Sequence, residues 1–156
     1  MKRGFAIGIL GFLALLIAQL VSGILLFHFT YGWTPGQLVA ALDSVPGLLA
    51  WPRFGKTAIV HIATISLLTF VLGHFLSFVR ELSQPRKLIL SLGLMLSGLI
   101  NAVSGAAIVA GGRDWVLIKL LSFLTFQIFL GLVTLVILKS ALSSLHTGSS
   151  TRSKKS

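Results

Sequence analysis

Four apolar segments dominate this chain, and each is long enough to form a helix across a lipid bilayer. The segments are Phe5–Phe29, Thr57–Val79, Leu88–Ala110 and Trp115–Leu138. A transmembrane helix needs about 20 mostly apolar residues, and only a helix can pair every backbone group of such a run within lipid. The sequence therefore predicts an all-α integral membrane protein, a four-helix bundle.

The first segment also has features of a signal peptide. Lys2 and Arg3 provide a short basic start, and Val21-Ser22-Gly23 would serve as a cleavage site. The apolar run continues unbroken to Phe29, however, whereas a signal core has about 7–15 apolar residues. We therefore expect an uncleaved first span, with a cleaved signal peptide as the alternative.

Basic residues are distributed unevenly between the two ends of the predicted bundle. The chain has 13 Lys and Arg residues against 3 Asp and Glu residues, and its formal net charge is +10. Nine of the 13 basic residues lie in the N-terminus, in the loop between spans two and three, and in the C-terminal end. Because Lys and Arg accumulate on the cytoplasmic side, both termini are predicted to be cytoplasmic. The basic residues lie between apolar runs rather than on one face, so nucleic acid is not an expected partner.

The connection between the first and second spans, residues 30–56, is the only long loop and is predicted to be outside. Thr34-Pro35 is a typical helix start, because a threonine cap precedes a proline in the first turn. We expect a short helix over Gly36–Leu42 on the outer surface, ended by Val45-Pro46-Gly47 and Trp51-Pro52. Residues 1–146 then form one four-span domain, and the Ser-rich basic segment 147–156 is expected to be disordered.

The third predicted span has small residues on one face. They are Gly98, Ala102, Gly105 and Ala106, with Asn101 among them. Small side chains let membrane helices approach closely, and asparagine can form a hydrogen bond across the contact. Helix packing is the favoured interpretation, and the alternative is that this face leaves room for a flat macrocycle.

His28 and His61 are the strongest candidates for a functional site. His28 ends the first span and His61 lies about 6 Å inside the second, so both are expected at one outer level of antiparallel helices. The chain has no cysteine and almost no carboxylates, so imidazole is nearly the only ligand chemistry it offers there. Two histidines at one level suit axial ligation of one haem b iron. The basic residues that would neutralise its propionates are Arg53, Lys56 and Lys119.

His74 indicates a second, less complete site. It lies 13 residues beyond His61, which is about 20 Å along a helix axis and suits two stacked haems. No other predicted span has a histidine in its inner half, so one haem is favoured and two haems are the alternative. His74, with Gln127 or Ser66, would then belong to a second haem or to a quinone site. Structural roles remain open, with His28 in interfacial water and the other two bonded to backbone carbonyls.

The order of these histidines resembles that of a known group of membrane proteins. The first span ends Val21-Ser22-Gly23-Ile24-Leu25-Leu26-Phe27-His28, and after a longer loop His61-Ile62-Ala63-Thr64 leads to Gly73-His74-Phe75. This pattern is similar to that of the small four-helix membrane b-type cytochromes, which include the cytochrome subunits of formate dehydrogenases and hydrogenases. The resemblance implies an outer haem between His28 and His61 and an inner haem at His74. The chain departs from the pattern in its fourth span, which has Gln127 but no histidine.

These features together predict a haem b-binding electron-transfer subunit in the inner membrane of a prokaryotic cell. It would link an outer-side redox partner to the quinone pool within a respiratory complex, in contact with lipid and with other subunits. The first alternative is a haem-free accessory or assembly subunit, which the small-residue face favours. A transporter or channel ranks third, because no Asp or Glu lies within a predicted span to couple protons.

Overall fold

A computed structural model describes residues 3–44 and 51–150 of the chain, without the side chains of 3, 53, 54, 57 and 146–150. Four of its helices are long and apolar enough to cross a membrane. Within the described residues there is no β-strand, and the elements are α1 (Arg3–Tyr31), α2 (Pro35–Ser44), α3 (Trp51–Ser77), α4 (Gln84–Gly111), a 3₁₀ turn (Arg113–Trp115) and α5 (Val116–Ser150). The predicted all-α, four-helix membrane protein is confirmed.

Several helix ends lie beyond the predicted apolar segments. α3 begins at Trp51, α4 begins at Gln84 and α5 continues to Ser150, because hydropathy marks the part of a helix in hydrocarbon while backbone bonding continues into its polar flanks. Pro52 was expected to interrupt structure but lies in the first turn of α3, where a proline has no intrahelical hydrogen bond to lose. The segment expected to be disordered is helical over 147–150. Residues 151–156 and Val45-Pro46-Gly47 lie outside the described residues.

Phenylalanines join α1 to α3 at the inner end of the bundle, which is the end that holds the α3–α4 loop. The ring centroids of Phe5 and Phe78 lie 5.4 Å apart, as do those of Phe12 and Phe75. Beyond this end, α1 packs mainly against α5 and α3 packs mainly against α4, while α4 and α5 form the most extensive interface. α1 and α3 therefore lie at the two flanks of the bundle, with α4 and α5 between them. They separate from each other toward the outer end of the bundle.

Glycines allow close contacts around α4. A Cβ atom added to Gly93 would collide with the ring of Phe129 on α5, and one added to Gly98 would lie 2.8 Å from Cγ2 of Ile65 on α3. Neither position has room for a side chain unless its neighbour moves. Close packing therefore accounts for Gly98, whereas Ala102 and Gly105 on the same helix line a cavity.

The expected short helix of the outer connection is α2, and a capping box begins it. Thr34 Oγ1 accepts a hydrogen bond from Gln37 N at 3.2 Å, and Gln37 Oε1 accepts bonds from the backbone nitrogens of Trp33 and Thr34. This reciprocal arrangement satisfies backbone N–H groups that have no partner within a helix. An ion pair of 2.6 Å between Arg113 and Asp43 connects the end of α2 to the 3₁₀ turn before α5. This ion pair therefore attaches the C-terminal end of α2 to the bundle.

Candidate functional site

A cavity of about 740 Å³ lies between the outer halves of α1, α3, α4 and α5, and α2 also contributes to its lining. We call it the outer cavity. Its volume falls in the range of roughly 300–1,000 Å³ that small-molecule sites commonly have. Its walls are mostly apolar and include Leu20, Leu26, Phe27, Ile62, Ile65 and Phe123.

The outer cavity exists because α1 and α3 are separated in this half of the bundle. Leu16 on α1 and Leu68 on α3 are the lining residues of those helices that lie closest to the inner end. Leu16 also belongs to the buried core that closes the bundle below this level. On α3, His61 and Ile62 line the cavity and are also exposed at the surface of the bundle. The cavity is therefore closed toward the inner end and open in part toward the lipid.

Three of the residues predicted to form a site line the outer cavity together: His61, Lys56 and Lys119. His61 and Lys56 lie on α3, while Lys119 lies in the first turn and a half of α5. His61 and Lys119 belong to different predicted spans and Lys56 lies just before the second span, and the tertiary structure brings their side chains to one cavity. An imidazole and two cations in a mostly apolar enclosure favour a ligand with an apolar body and an acidic group.

Lys119 is held by neutral oxygens of Asn101 on α4. Its Nζ donates to the backbone oxygen of Asn101 at 2.8 Å and to the side-chain Oδ1 at 2.9 Å. Two of the carboxylates of the chain are used elsewhere, in the Arg113–Asp43 pair and in a bond from Ser140 to Glu81. Among the described residues no carboxylate forms an ion pair with Lys119. An ammonium has three N–H donors, so one of them is available to a ligand in the outer cavity.

Two serines extend this polar contact between α4 and α5. Ser104 Oγ lies 3.2 Å from Ser122 Oγ, Ser104 donates to the backbone oxygen of Asn101, and Ser122 donates to that of Lys119. Ser104, Ser122 and Asn101 are buried. The hydrogen bond predicted for Asn101 across a helix contact is therefore present, and it fixes the position of the cationic side chain.

Gln127 on α5 carries a polar atom without a partner. Its Oε1 is buried and accepts no hydrogen bond from any described residue, and the side chain lines the outer cavity. A Cβ atom added to Gly23 on α1 would have Gln127 Nε2 as its nearest neighbour, at 3.9 Å. Gly23 also lines the cavity. The contact between α1 and α5 therefore provides a carboxamide beside a small open space.

His28 is not among the residues that line the outer cavity. Its exposed imidazole stacks on Trp33, with ring centroids 5.6 Å apart and an angle of 16° between the planes. Phe27 and Tyr31, its neighbours on α1, do line the cavity. His28 lies at the outer end of α1, as expected. Its side chain, however, is directed toward the loop that leads to α2.

His74 is also not among the described residues that line the outer cavity. His74 lies near the inner end of α3, is exposed, and contacts Phe78 edge to face at 5.0 Å. The side chains of Arg53 and of His146 lie outside those that are described. Among the described residues there is no group of three or more His, Cys, Asp or Glu side chains that could hold a metal ion.

Sequence reasoning did not identify Gly23 and Gln19 as cavity residues, although both line the outer cavity. A signal for them was available, because residues spaced by four on a helix share a face. Gln19, Gly23 and Phe27 follow that spacing, and all three line the cavity. What the spacing could not indicate is which face of α1 is turned inward.

The comparisons with known proteins bear on the family of the chain. No curated protein matches it, and no solved structure matches it either. Residues 54–148 match the model of the Aq_1264_TM family, which is described as a transmembrane helical domain. This region contains nearly all of α3, all of α4 and almost all of α5, which is more than half of the chain. The chain therefore belongs to the Aq_1264_TM family of transmembrane helical domains.

Proposed function

We propose that this chain is an electron-transfer subunit of a redox complex in the inner membrane of a prokaryotic cell, and that it binds one haem b. The observation that carries the proposal is that His61, Lys56 and Lys119 line one cavity in the outer half of the bundle. Bound haem b supplies a one-electron redox couple, and the protein sets its ligation and its electrostatic surroundings. The subunit would connect a redox partner on the outer side to the quinone pool.

The residues of the outer cavity fit haem b in shape and in charge. The haem macrocycle is flat and apolar, and Gly23, Ala102 and Gly105 leave space between apolar walls. Its two propionates are anionic, and the cavity has two lysines. His61 is the imidazole on the cavity wall and is the axial ligand in this proposal. The whole cavity, at about 740 Å³, has the size of a small-molecule site.

Lys119 has the most specific role among the cavity residues. A cation in a membrane span is costly without a partner, and the oxygens of Asn101 satisfy only two of its three donors. A propionate would accept the third N–H and neutralise the charge, and the Asn101 contact holds the ammonium in place for it. Lys56, which is exposed at the start of α3, would face the second propionate.

His28 as a second axial ligand remains a prediction from the sequence. For that role its imidazole has to leave Trp33 and turn toward the outer cavity. His74 as a ligand of a second haem, or as part of a quinone site with Gln127 or Ser66, is likewise a prediction. His74 and Gln127 lie on different helices, and only Gln127 lines the outer cavity.

The test is purification of the full chain in mild detergent from cells supplied with haem, followed by a reduced-minus-oxidised spectrum and pyridine haemochrome quantitation. We expect about one haem b per chain. His61→Ala should abolish haem binding, whereas His74→Ala, a matched change on the same helix and outside the cavity, should preserve it. Circular dichroism of both variants would show that the helices are intact. Haem-free wild-type protein, or equal haem content in the two variants, would contradict the proposal.

A second candidate is a haem-free accessory subunit that holds an acidic phospholipid. It is favoured by the partial opening of the outer cavity toward lipid, with Lys119 available to a phosphate group and apolar walls available to an acyl chain. Native mass spectrometry of the purified protein would distinguish the two. A bound phospholipid without haem, lost on Lys119→Met, would favour this candidate.

A further inference from the structure

The outer cavity has a single imidazole among its described lining residues, that of His61. His28, the other histidine at this end of the bundle, stacks on Trp33 outside the cavity. Lys119 also lines the cavity, but its Nζ donates hydrogen bonds to two oxygens of Asn101. In this arrangement only one of the two histidines, His61, has its imidazole in the cavity, where it could coordinate an iron.

Other walls of the same cavity are formed by α1 and α5, which meet at Gly23 and Gln127. Gly23 has no side chain to fill the space, and the nearest atom to a Cβ added there is Gln127 Nε2 at 3.9 Å. The Oε1 atom of the same carboxamide is buried and unpartnered. Burial of a polar atom without a partner is unfavourable, so the carboxamide of Gln127 is not fully satisfied by the described residues.

We propose that haem in the outer cavity is bound through His61 alone and that its sixth coordination position is open to a small diatomic ligand, next to Gly23 and Gln127. This inference rests on the haem-binding function proposed above. Gly23 provides the space for such a ligand, and the carboxamide of Gln127 provides a hydrogen-bonding group beside it. Polarity, hydrogen-bond donors and access on the free side of a haem determine whether it binds a gas or only transfers electrons.

Gln127 acts in this arrangement as a positioning residue for the exogenous ligand. Its Nε2, which is the nearest atom to a Cβ added at Gly23, can present an N–H to the ligand, because a diatomic ligand accepts a hydrogen bond and cannot donate one. Leucine at this position has a similar volume but offers no hydrogen bond. Gln127→Leu is therefore expected to leave haem binding intact and to change only the properties of a ligand bound to the iron.

The test uses the purified haem-loaded chain with carbon monoxide as the probe. We expect the ferric protein to be high-spin, and we expect the dithionite-reduced protein to bind carbon monoxide stoichiometrically with the haem. Gln127→Leu should keep the haem content and shift the carbon–oxygen stretching frequency upward, because the hydrogen bond is lost. Gly23→Leu should reduce the rate of carbon monoxide binding at least tenfold, measured on the fraction of the protein that retains haem. His28→Ala should change none of these readings.

Other outcomes separate the two proposals. A low-spin haem that ignores carbon monoxide in the wild-type chain, and becomes high-spin and reactive in His28→Ala, would overturn the open position and support bis-histidine ligation. A reactive haem whose stretching frequency is unchanged in Gln127→Leu would overturn the role of Gln127. Absence of haem from the wild-type chain would overturn both this inference and the proposed function. The spin state, the carbon monoxide binding and the haem content of the wild-type chain need no variant that might fail to fold.

Discussion

Lys119 Nζ lies 2.8 Å from the backbone oxygen of Asn101 and 2.9 Å from its side-chain oxygen. One asparagine on α4 thus provides both protein acceptors of a cation in a membrane-spanning segment of α5. Ser104 and Ser122 continue this contact along the same interface. Because neutral oxygens hold the ammonium in position without cancelling its charge, the interface maintains a fixed positive site on the wall of the outer cavity.

The first prediction concerns the coupling between these two residues. Asn101→Ala should lower the free energy of unfolding by about 1–3 kcal/mol, because it removes a hydrogen-bond acceptor from a partly buried charge. In a Lys119→Met background the same change should cost much less, because no charge is left without its partner. Thermal unfolding of the four proteins in one detergent measures the difference.

Ser97→Ala is the matched control for this double-mutant cycle. Ser97 is also buried on α4, but its hydroxyl bonds only to Leu94 O of its own helix. Its effect should therefore be the same in the wild-type and Lys119→Met backgrounds. Additive effects of Asn101→Ala and Lys119→Met would show that the contact contributes nothing to the coupling of α4 and α5.

The second prediction concerns the affinity for haem. Lys119→Gln should weaken haem retention about tenfold, which corresponds to about 1.4 kcal/mol, because one propionate loses a charge-assisted hydrogen bond. Transfer of haem from the reduced protein to an excess of apo-myoglobin measures the retention. Lys139→Gln, an exposed lysine at the other end of α5, should have no effect. Equal transfer rates in the two variants would exclude Lys119 as a propionate partner.

The third prediction concerns packing between α4 and α5. Gly93→Ala should destabilise the protein by about 1–3 kcal/mol, because its methyl group would displace the ring of Phe129 in a closely packed contact. Gly131→Ala on α5 is the matched control. A Cβ atom there has no neighbour within 4 Å, and alanine favours a helix over glycine by about 1 kcal/mol. A Gly93→Ala protein as stable as Gly131→Ala would show that the contact tolerates the extra atom.

The fourth prediction concerns orientation in the membrane. The chain has no cysteine, so a single introduced cysteine is the only residue of the chain that a maleimide can label through a thiol. Ala40→Cys in α2 should react with a membrane-impermeant maleimide added to intact cells, whereas Ser83→Cys in the α3–α4 loop should react only after the cells are opened. Both positions are exposed. The reverse pattern would invert the predicted topology and put the outer cavity on the cytoplasmic side.

Much of the fold could be predicted from local sequence. The four long helices follow from apolar runs that can satisfy their backbone only as helices in lipid, and α2 follows from Thr34 and Pro35 at its start. The hydrogen bond of Asn101 across a helix contact was also expected, because a polar side chain in a span requires a partner. Helix ends were less accurate, as at Trp51 and Ser150, since polar flanks carry little hydropathy signal.

The sequence by itself determined that His28, His61 and Lys119 lie near the outer ends of their spans, because depth follows from chain position and helical rise. Only the tertiary structure decided which of them face one another. The rotation of α1 directs Phe27 into the outer cavity and leaves His28 on Trp33, while the rotation of α3 places His61 on the cavity wall. The cavity itself arises because α1 and α3 meet through phenylalanines at the inner end and separate above them. Such rotations depend on contacts between residues far apart in the chain, which no local pattern contains.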